Sequence, residues 1–387
     1  MCRSPLREAL DRTMATVDRT PSAAVPDRAA AAIAYHRPVT SFAVVGAGWR
    51  ASAYWRLAAL LDDVSCVGVV ARSPRRLPVP TFTSLAECLA AAQPDFLVTA
   101  VPWAVNPGVV TQAVSLGVPV LAETPPAPNL AGLRSLWAAV GRSGLVQVAE
   151  QYLLMPSHAA RAAAVASGVM GTPTQVQVSS TQLYHAVSLM RGLLSAGRGP
   201  VTVRASRYRA PLVDPLSRAG WTDDETPKIA TTTIARLDFG HGRSGLYDFT
   251  DHQTRNQLRF RRILVRGSHG ELRDDEIVRL TAPRTIVRTP LIRRQTGHDL
   301  DLQGFDTDHI TLGTEVLFRN PYPGLRFNDD EIATAALVQA MAAWVRGDGP
   351  APYPLAEGAH DHLVALAIEE AADTDRTVTT TDEPWAS

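Results

Sequence analysis

A glycine-punctuated turn between an apolar strand and a helix constrains this chain more than any other feature. SFAVVG (41–46) is a short apolar run ending in Gly46-Ala47-Gly48-Trp49-Arg50-Ala51, and a helical stretch from Trp49 to Leu61 follows. In such a G-x-G-x-x-A turn the first glycine permits the tight bend, and the second lets backbone approach a pyrophosphate. The small third residue lets the helix sit close on the strand. Unpaired N–H groups at the helix start then hold the diphosphate. Gly46, Gly48, Trp49 and Arg50 are therefore candidate cofactor-binding residues.

The residues downstream continue the pattern. VSCVGVVA (64–71), VPTFT (79–83), DFLVTAV (95–101), VPVLAE (118–123) and LVQVAE (145–150) read as strands. Helical stretches separate them, SLAECLAAA (84–92) and Asn106 to Leu116 among them, with Asn129 capping another. Strands apolar throughout and alternating with helices predict a parallel sheet covered on both faces. The fold class expected is α/β: a Rossmann dinucleotide-binding domain over 38–150, followed by an α+β domain over 151–387. The second domain is expected to carry a large, mostly antiparallel open sheet. Its strand candidates are 175–181, 201–209, 230–240, 244–250 and 259–267; 210–227 reads as a surface loop. A helix from Pro156 and two closing helices, Asp329 to Val345 and Leu355 to Ala372, complete the reading, with the tail expected to pack back on the first domain.

The tip of the second strand bears on which dinucleotide is held. An NAD site usually places a carboxylate there to bind the ribose 2′-hydroxyl. This chain has Ala71-Arg72-Ser73 instead. A guanidinium beside a hydroxyl suits a 2′-phosphate, so NADP is favoured over NAD.

Composition excludes several alternatives. The 38 basic and 38 acidic residues balance across 387 positions, giving no electrostatic reason to expect nucleic acid or a membrane surface as partner. No apolar run reaches the ~20 residues of a membrane span. Cys2, Cys66 and Cys88 form no metal-binding or disulfide pattern; they read as inert thiols of a cytoplasmic protein. No metal site is expected: His158, His360 and His362 sit on Ala-rich helices without partners at ligand spacing, and a solvated helix face explains Asp361 and its neighbouring histidines as well as a site does. Residues 1–37 read as a flexible extension. Lys228 is the one lysine, so chemistry that needs a lysine has a single candidate, and that one lies beyond a Pro/Asp-rich loop.

From Val39 to Trp385 the chain resembles the Gfo/Idh/MocA oxidoreductases. The resemblance rests on the order of the glycine turn, VPW (101–103), VLAETPP (120–126), VAEQYLLMP (148–156), SGVMGTP (167–173), YHAVSLMR (184–191), PLAEGAHDHLVALAIEEA (354–371) and EPW (383–385). It implies that Pro102, Trp103, Glu123 and Thr124 lie near the nicotinamide end and that His185 faces the nicotinamide. Dimers or tetramers built on the open sheet are also implied. The chain departs from the family pattern at Thr124, where a lysine is usual, and at Thr181 and Ser188, where aspartates are usual.

These residues set the functional expectation. His185 is the first candidate for proton relay, because only histidine titrates near neutral pH unperturbed. Tyr184 and Tyr152 are candidate partners. Trp103, Tyr152 and Arg191 are candidates for holding a small-molecule substrate. The expected activity is hydride transfer between NAD(P) and a polyol, sugar derivative or related carbonyl compound. Transient oxidation followed by elimination, or a non-catalytic sensor role, are the alternatives.

Overall fold

The computed structural model describes residues 39–73, 75–217, 219–299, 301 and 304–386. The expected extension 1–37 and Cys2 lie outside the described residues.

The first sheet is parallel, six-stranded and ordered β3-β2-β1-β4-β5-β6. Its strands are β1 (Thr40–Val45), β2 (Val64–Val70), β3 (Thr81–Phe82), β4 (Phe96–Thr99), β5 (Val120–Ala122) and β6 (Val146–Val148). Helices α1 (Trp49–Ala58), α2 (Leu85–Ala92), α3 (Asn106–Ser115) and α4 (Leu130–Val140) connect them. Phe42, Ala43, Val44, Leu97 and Val98 are fully buried, as strands covered on both faces require. Ser84 and Asn129 cap α2 and α4 by accepting the backbone N–H of Glu87 and Gly132. The strand order reverses between β1 and β4, and the crevice at their carboxyl ends is where ligands of such sheets bind.

A short 3-10 turn (Tyr152–Leu154) and helix α5 (Pro156–Ala166) lead into the second sheet. This sheet has eleven strands in the order β18-β17-β16-β15-β14-β13-β7-β12-β11-β8-β19. They are β7 (Pro173–Val178), β8 (Thr202–Leu212), β11 (Lys228–Asp238), β12 (Ser244–Thr250), β13 (Ile263–Gly267), β14 (Gly270–Arg273), β15 (Glu276–Ala282), β16 (Thr285–Gln295), β17 (Thr307–Leu312), β18 (Glu315–Arg319) and β19 (Val378–Thr379). All pairings are antiparallel except β7 with β12. One face packs on α5, α6 (Leu183–Leu194) and the last helix α8 (Leu355–Thr374). The loop read over 210–227 instead continues β8 to Leu212 and holds a two-stranded hairpin, β9 (Leu216–Ser217) with β10 (Gly220–Trp221). Strands β14 to β18 extend the sheet beyond the last strand read from the sequence.

The chain's last quarter returns to the first sheet. Helix α7 (Asp329–Val345) places Leu337, Val338 and Met341 in one core with Phe42, Val44, Phe96 and Leu121. Trp385 is fully buried against Leu133 of α4 and Leu363 of α8, and it meets Trp137 edge-on at 5.9 Å. Glu383 forms an ion pair with Arg134 of α4 at 2.5 Å.

Candidate functional site

The glycine turn has the geometry a diphosphate needs. Gly46 has φ +123°, and any Cβ there would overlap the Ala100 carbonyl oxygen at the end of β4, so no larger residue fits. Gly48 is the N-cap of α1, and a Cβ on it would meet open space, which leaves that side accessible to a ligand. The first turn of α1 carries no acidic residue to oppose a phosphate. Ala71-Arg72-Ser73 lies at the end of β2, where Arg72 and Ser73 are exposed. Pro102 and Trp103 follow β4 and are also exposed, Trp103 by 58% and Trp49 by 73%, so neither tryptophan is a core residue. Asn106 ties this edge together: it accepts the Thr99 hydroxyl at 2.6 Å and donates to the Pro126 carbonyl at 3.1 Å. These residues fit a dinucleotide laid across the carboxyl ends of β1, β2 and β4.

Glu123 and Glu150 stand just past β5 and β6, on the same edge. Glu150 is the residue the sequence reading did not assign. Its side chain has no solvent exposure, and its Oε2 lies 2.6 Å from His185 Nδ1 on α6. Its Oε1 accepts the Tyr152 backbone N–H at 3.0 Å. A buried carboxylate needs such donors. With Nδ1–H donated to Glu150, the tautomer is set and the Nε2 lone pair is left to take a proton. The Tyr152 ring stacks on the imidazole at 4.2 Å and fixes its plane. Burial raises the Tyr152 phenol above its ordinary pKa, so its hydroxyl stays a donor near neutral pH. The signal that points to Glu150 is positional: a carboxylate ends an apolar parallel strand at the ligand-binding edge.

Glu123 is held by two donors, the Tyr54 hydroxyl at 2.5 Å and Arg50 Nε at 2.5 Å. Arg50 Nη1 reaches Asp330 at 2.9 Å, and Asp330 also accepts Gln151 Nε2 at 2.9 Å. Arg50 thus joins the glycine turn, β5 and α7, a role absent from the sequence reading, which used it for the turn alone. Thr124 follows Glu123 and donates its backbone N–H to Oε2 of that carboxylate at 3.2 Å.

Several expected site residues are placed elsewhere. Tyr184 is buried and meets the His185 ring edge-on at 5.4 Å, but its hydroxyl turns toward α8, where a methyl on Gly358 would come within 2.9 Å of it. It packs behind the imidazole and does not face the crevice. Arg191 is equally enclosed: it pairs with Asp361 at 2.5 Å and Glu357 at 2.6 Å and donates Nε to the Gly197 carbonyl, so its donors are spent within the protein and not on a substrate. His360, Asp361 and His362 are buried, which corrects their reading as a solvated face. Burial pushes Asp361 up to about 6 in spite of Arg191. Lys228 is exposed and pairs with Asp224 at 2.6 Å. Among the described residues no group of three His, Cys, Asp or Glu is arranged to hold a metal, and no helix is long and apolar enough to cross a membrane.

A glycine turn at the switch point of a doubly wound sheet, faced by an imidazole on helix α6, is the architecture of a dinucleotide-binding fold. Residues 40–151 match the Gfo/Idh/MocA family model, described as an oxidoreductase family with an NAD-binding Rossmann fold. No curated protein matches the chain significantly. Solved structures share the whole architecture at low identity. An oxidoreductase from Agrobacterium radiobacter, in complex with NAD+, L-tartaric acid and magnesium, is 16% identical with a TM-score of 0.63; the match covers 88% of this chain and 98% of that one. A myo-inositol dehydrogenase from Corynebacterium glutamicum is 18% identical (TM-score 0.60, 89% and 99% covered). The WlbA dehydrogenase from Bordetella pertussis, in complex with NADH and UDP-GlcNAcA, is 19% identical (TM-score 0.60, 89% and 99% covered).

Proposed function

We propose that this protein transfers hydride between a nicotinamide dinucleotide and a small polyol, sugar derivative or related carbonyl compound, with His185 as the proton relay. The observation that carries this reading is the Glu150–His185 pair at 2.6 Å, stacked under Tyr152 at the carboxyl edge of the first sheet. An alcohol gives up a proton as it gives up hydride, and the reverse reaction returns both. The bound nicotinamide supplies the hydride chemistry. His185 Nε2 takes or returns the hydroxyl proton, Glu150 holds the ring and offsets the positive charge it gains, and the Tyr152 hydroxyl orients the substrate. Under this reading 38–150 binds the dinucleotide and 151–387 the substrate. Glu123 and Thr124 shape the nicotinamide end, and Trp103 walls the pocket.

The exposed Arg72 and Ser73, with no carboxylate at that strand tip, support NADP over NAD. Tyr208 and Ile234 are exposed on the same face of the second sheet, and their apolar area supports a homo-oligomer built on that sheet. Cys66 and Cys88 are free thiols, which suits a cytoplasmic protein.

The test is nicotinamide absorbance over time with NADP or NAD and a panel of sugars, cyclitols and glycosides, with products analysed in each mixture. Net reduction that disappears in His185→Ala is expected. A cleaved glycoside without net reduction would replace this reading with transient oxidation. Tight cofactor binding with neither outcome would replace it with a sensor role. For the cofactor, Arg72→Ala is expected to weaken NADPH binding by ~10-fold or more while NADH binding changes little; equal losses would remove the 2′-phosphate assignment.

A further inference from the structure

The guanidinium of Arg50 has more donors than its protein partners use. Nε donates to Glu123 and Nη1 to Asp330, whereas Nη2 is buried and meets no acceptor. Both partners are themselves held, Glu123 by Tyr54 and Asp330 by Gln151. Two anchored ion pairs fix a planar, five-donor group, so the direction of Nη2 is set before any ligand arrives. Asp330 links Arg50 at 2.9 Å to the side chain of Gln151 at 2.9 Å, and Gln151 is the chain neighbour of Tyr152, which stacks on His185. A buried donor without an acceptor is unfavourable, and a ligand oxygen relieves it.

The surrounding charges decide which oxygen. Arg50 carries one positive charge between two carboxylates, Glu123 and Asp330. The next cation along, Arg293, is matched by Asp329 at 2.7 Å. Glu150 adds a further carboxylate behind His185. A carboxylate ligand at Nη2 would stand against an excess of negative charge, whereas a hydroxyl or carbonyl oxygen accepts the same bond without that repulsion.

We propose that Arg50 Nη2 binds a neutral hydroxyl or carbonyl oxygen of the substrate, and that the site thereby selects uncharged polyhydroxyl compounds over their carboxylate counterparts. The proposal rests on the oxidoreductase reading above. It makes Arg50 a specificity residue whose backbone serves the cofactor turn and whose side chain serves the substrate.

Arg50→Lys keeps a cation between the two carboxylates but removes the planar fork, and Arg50→Gln removes the charge as well; thermal denaturation checks that each folds. Cofactor affinity is read from quenching of tryptophan fluorescence. Substrate affinity is read by calorimetry on cofactor-loaded protein, with matched pairs such as an aldose and its aldonic acid. The wild type is expected to bind the neutral member of a pair at least ~10-fold more tightly than the acid. Both variants are expected to lose at least ~10-fold for that neutral member, with the cofactor Kd within about threefold of wild type. A cofactor loss as large as the substrate loss would assign Nη2 to the diphosphate and overturn the proposal. Preference for the acid, unchanged neutral binding in both variants, or no binding of any pair would overturn it too. If neither variant folds, the wild-type preference between neutral compound and acid decides. Turnover is followed separately. Selective neutral binding that depends on Arg50 but yields no turnover would defeat the oxidoreductase reading alone. Turnover with undiminished binding in the variants would defeat the Arg50 assignment alone.

Discussion

At the scale of single residues the site is a set of buried charges, each answered by another side chain. Replacing Glu150 with Gln keeps the shape but loses the carboxylate that fixes the Nδ1–H tautomer of His185. The expected result is a fall in kcat of ~10²-fold or more with substrate binding little changed, because general acid–base assistance is worth that much. Steady-state kinetics of Glu150→Gln, His185→Ala and the double variant check it. Under the proposed proton relay the two residues act as one unit, so the double variant is expected to match His185→Ala. Full activity in Glu150→Gln would separate the pair from the chemistry. His185 is visible in the sequence through its resemblance to known enzymes. Glu150 is not, because its partner lies 35 positions away and nothing local marks a strand-end carboxylate as paired. Arg50 is harder still: its acceptors lie 73 and 280 positions away, so only the fold shows what the side chain does.

At the scale of elements, legibility follows burial. β1, β2, β4, β5 and β6 are covered on both faces over most of their length and therefore mostly apolar, which is why they stand out in the sequence. β16, Thr285–Gln295, is mostly exposed, and TIVRTPLIRRQ lacks the alternation of a half-buried strand, so neighbour pairing with β15 and β17 builds it more than its own pattern. The β1–α1 turn yields a sharp test. Gly46→Ala forces a Cβ onto the Ala100 carbonyl at a φ of +123°, and such backbone strain alone costs ~1–3 kcal/mol. Thermal denaturation is expected to show a lower midpoint, and fluorescence titration a loss of cofactor binding. Gly48→Ala, with open space at its Cβ, is expected to leave the midpoint nearly unchanged and weaken only the cofactor.

At the scale of the whole molecule, the last helices hold the two parts together, and buried histidines on α5 and α8 set an acid limit. Burial lowers His158 to about 3, His360 to about 3 and His362 to about 4, from an ordinary 6.5. The unfolded chain takes up protons there that the folded chain refuses. Their contribution to stability is therefore complete above pH ~6.5 and is lost as pH falls toward 3–4, by up to ~1.4 kcal/mol per pH unit for each imidazole. Unfolding midpoints measured between pH 7 and 4 are expected to fall, less steeply in His158→Gln. Trp385→Ala empties a fully buried site beside Trp137 and is expected to lose about 3–5 kcal/mol in denaturant unfolding.

The return of α7 and Trp385 to the first sheet bears on how the molecule is made. During synthesis the strands of the nucleotide-binding sheet emerge from the ribosome first, yet Leu337, Val338 and Met341, which cover Phe42, Phe96 and Leu121, are translated nearly two hundred residues after β6. Until then only α1, through Ala51, Tyr54, Trp55 and Ala58, covers that apolar face. The core of the first sheet is therefore completed only when nearly the whole chain exists.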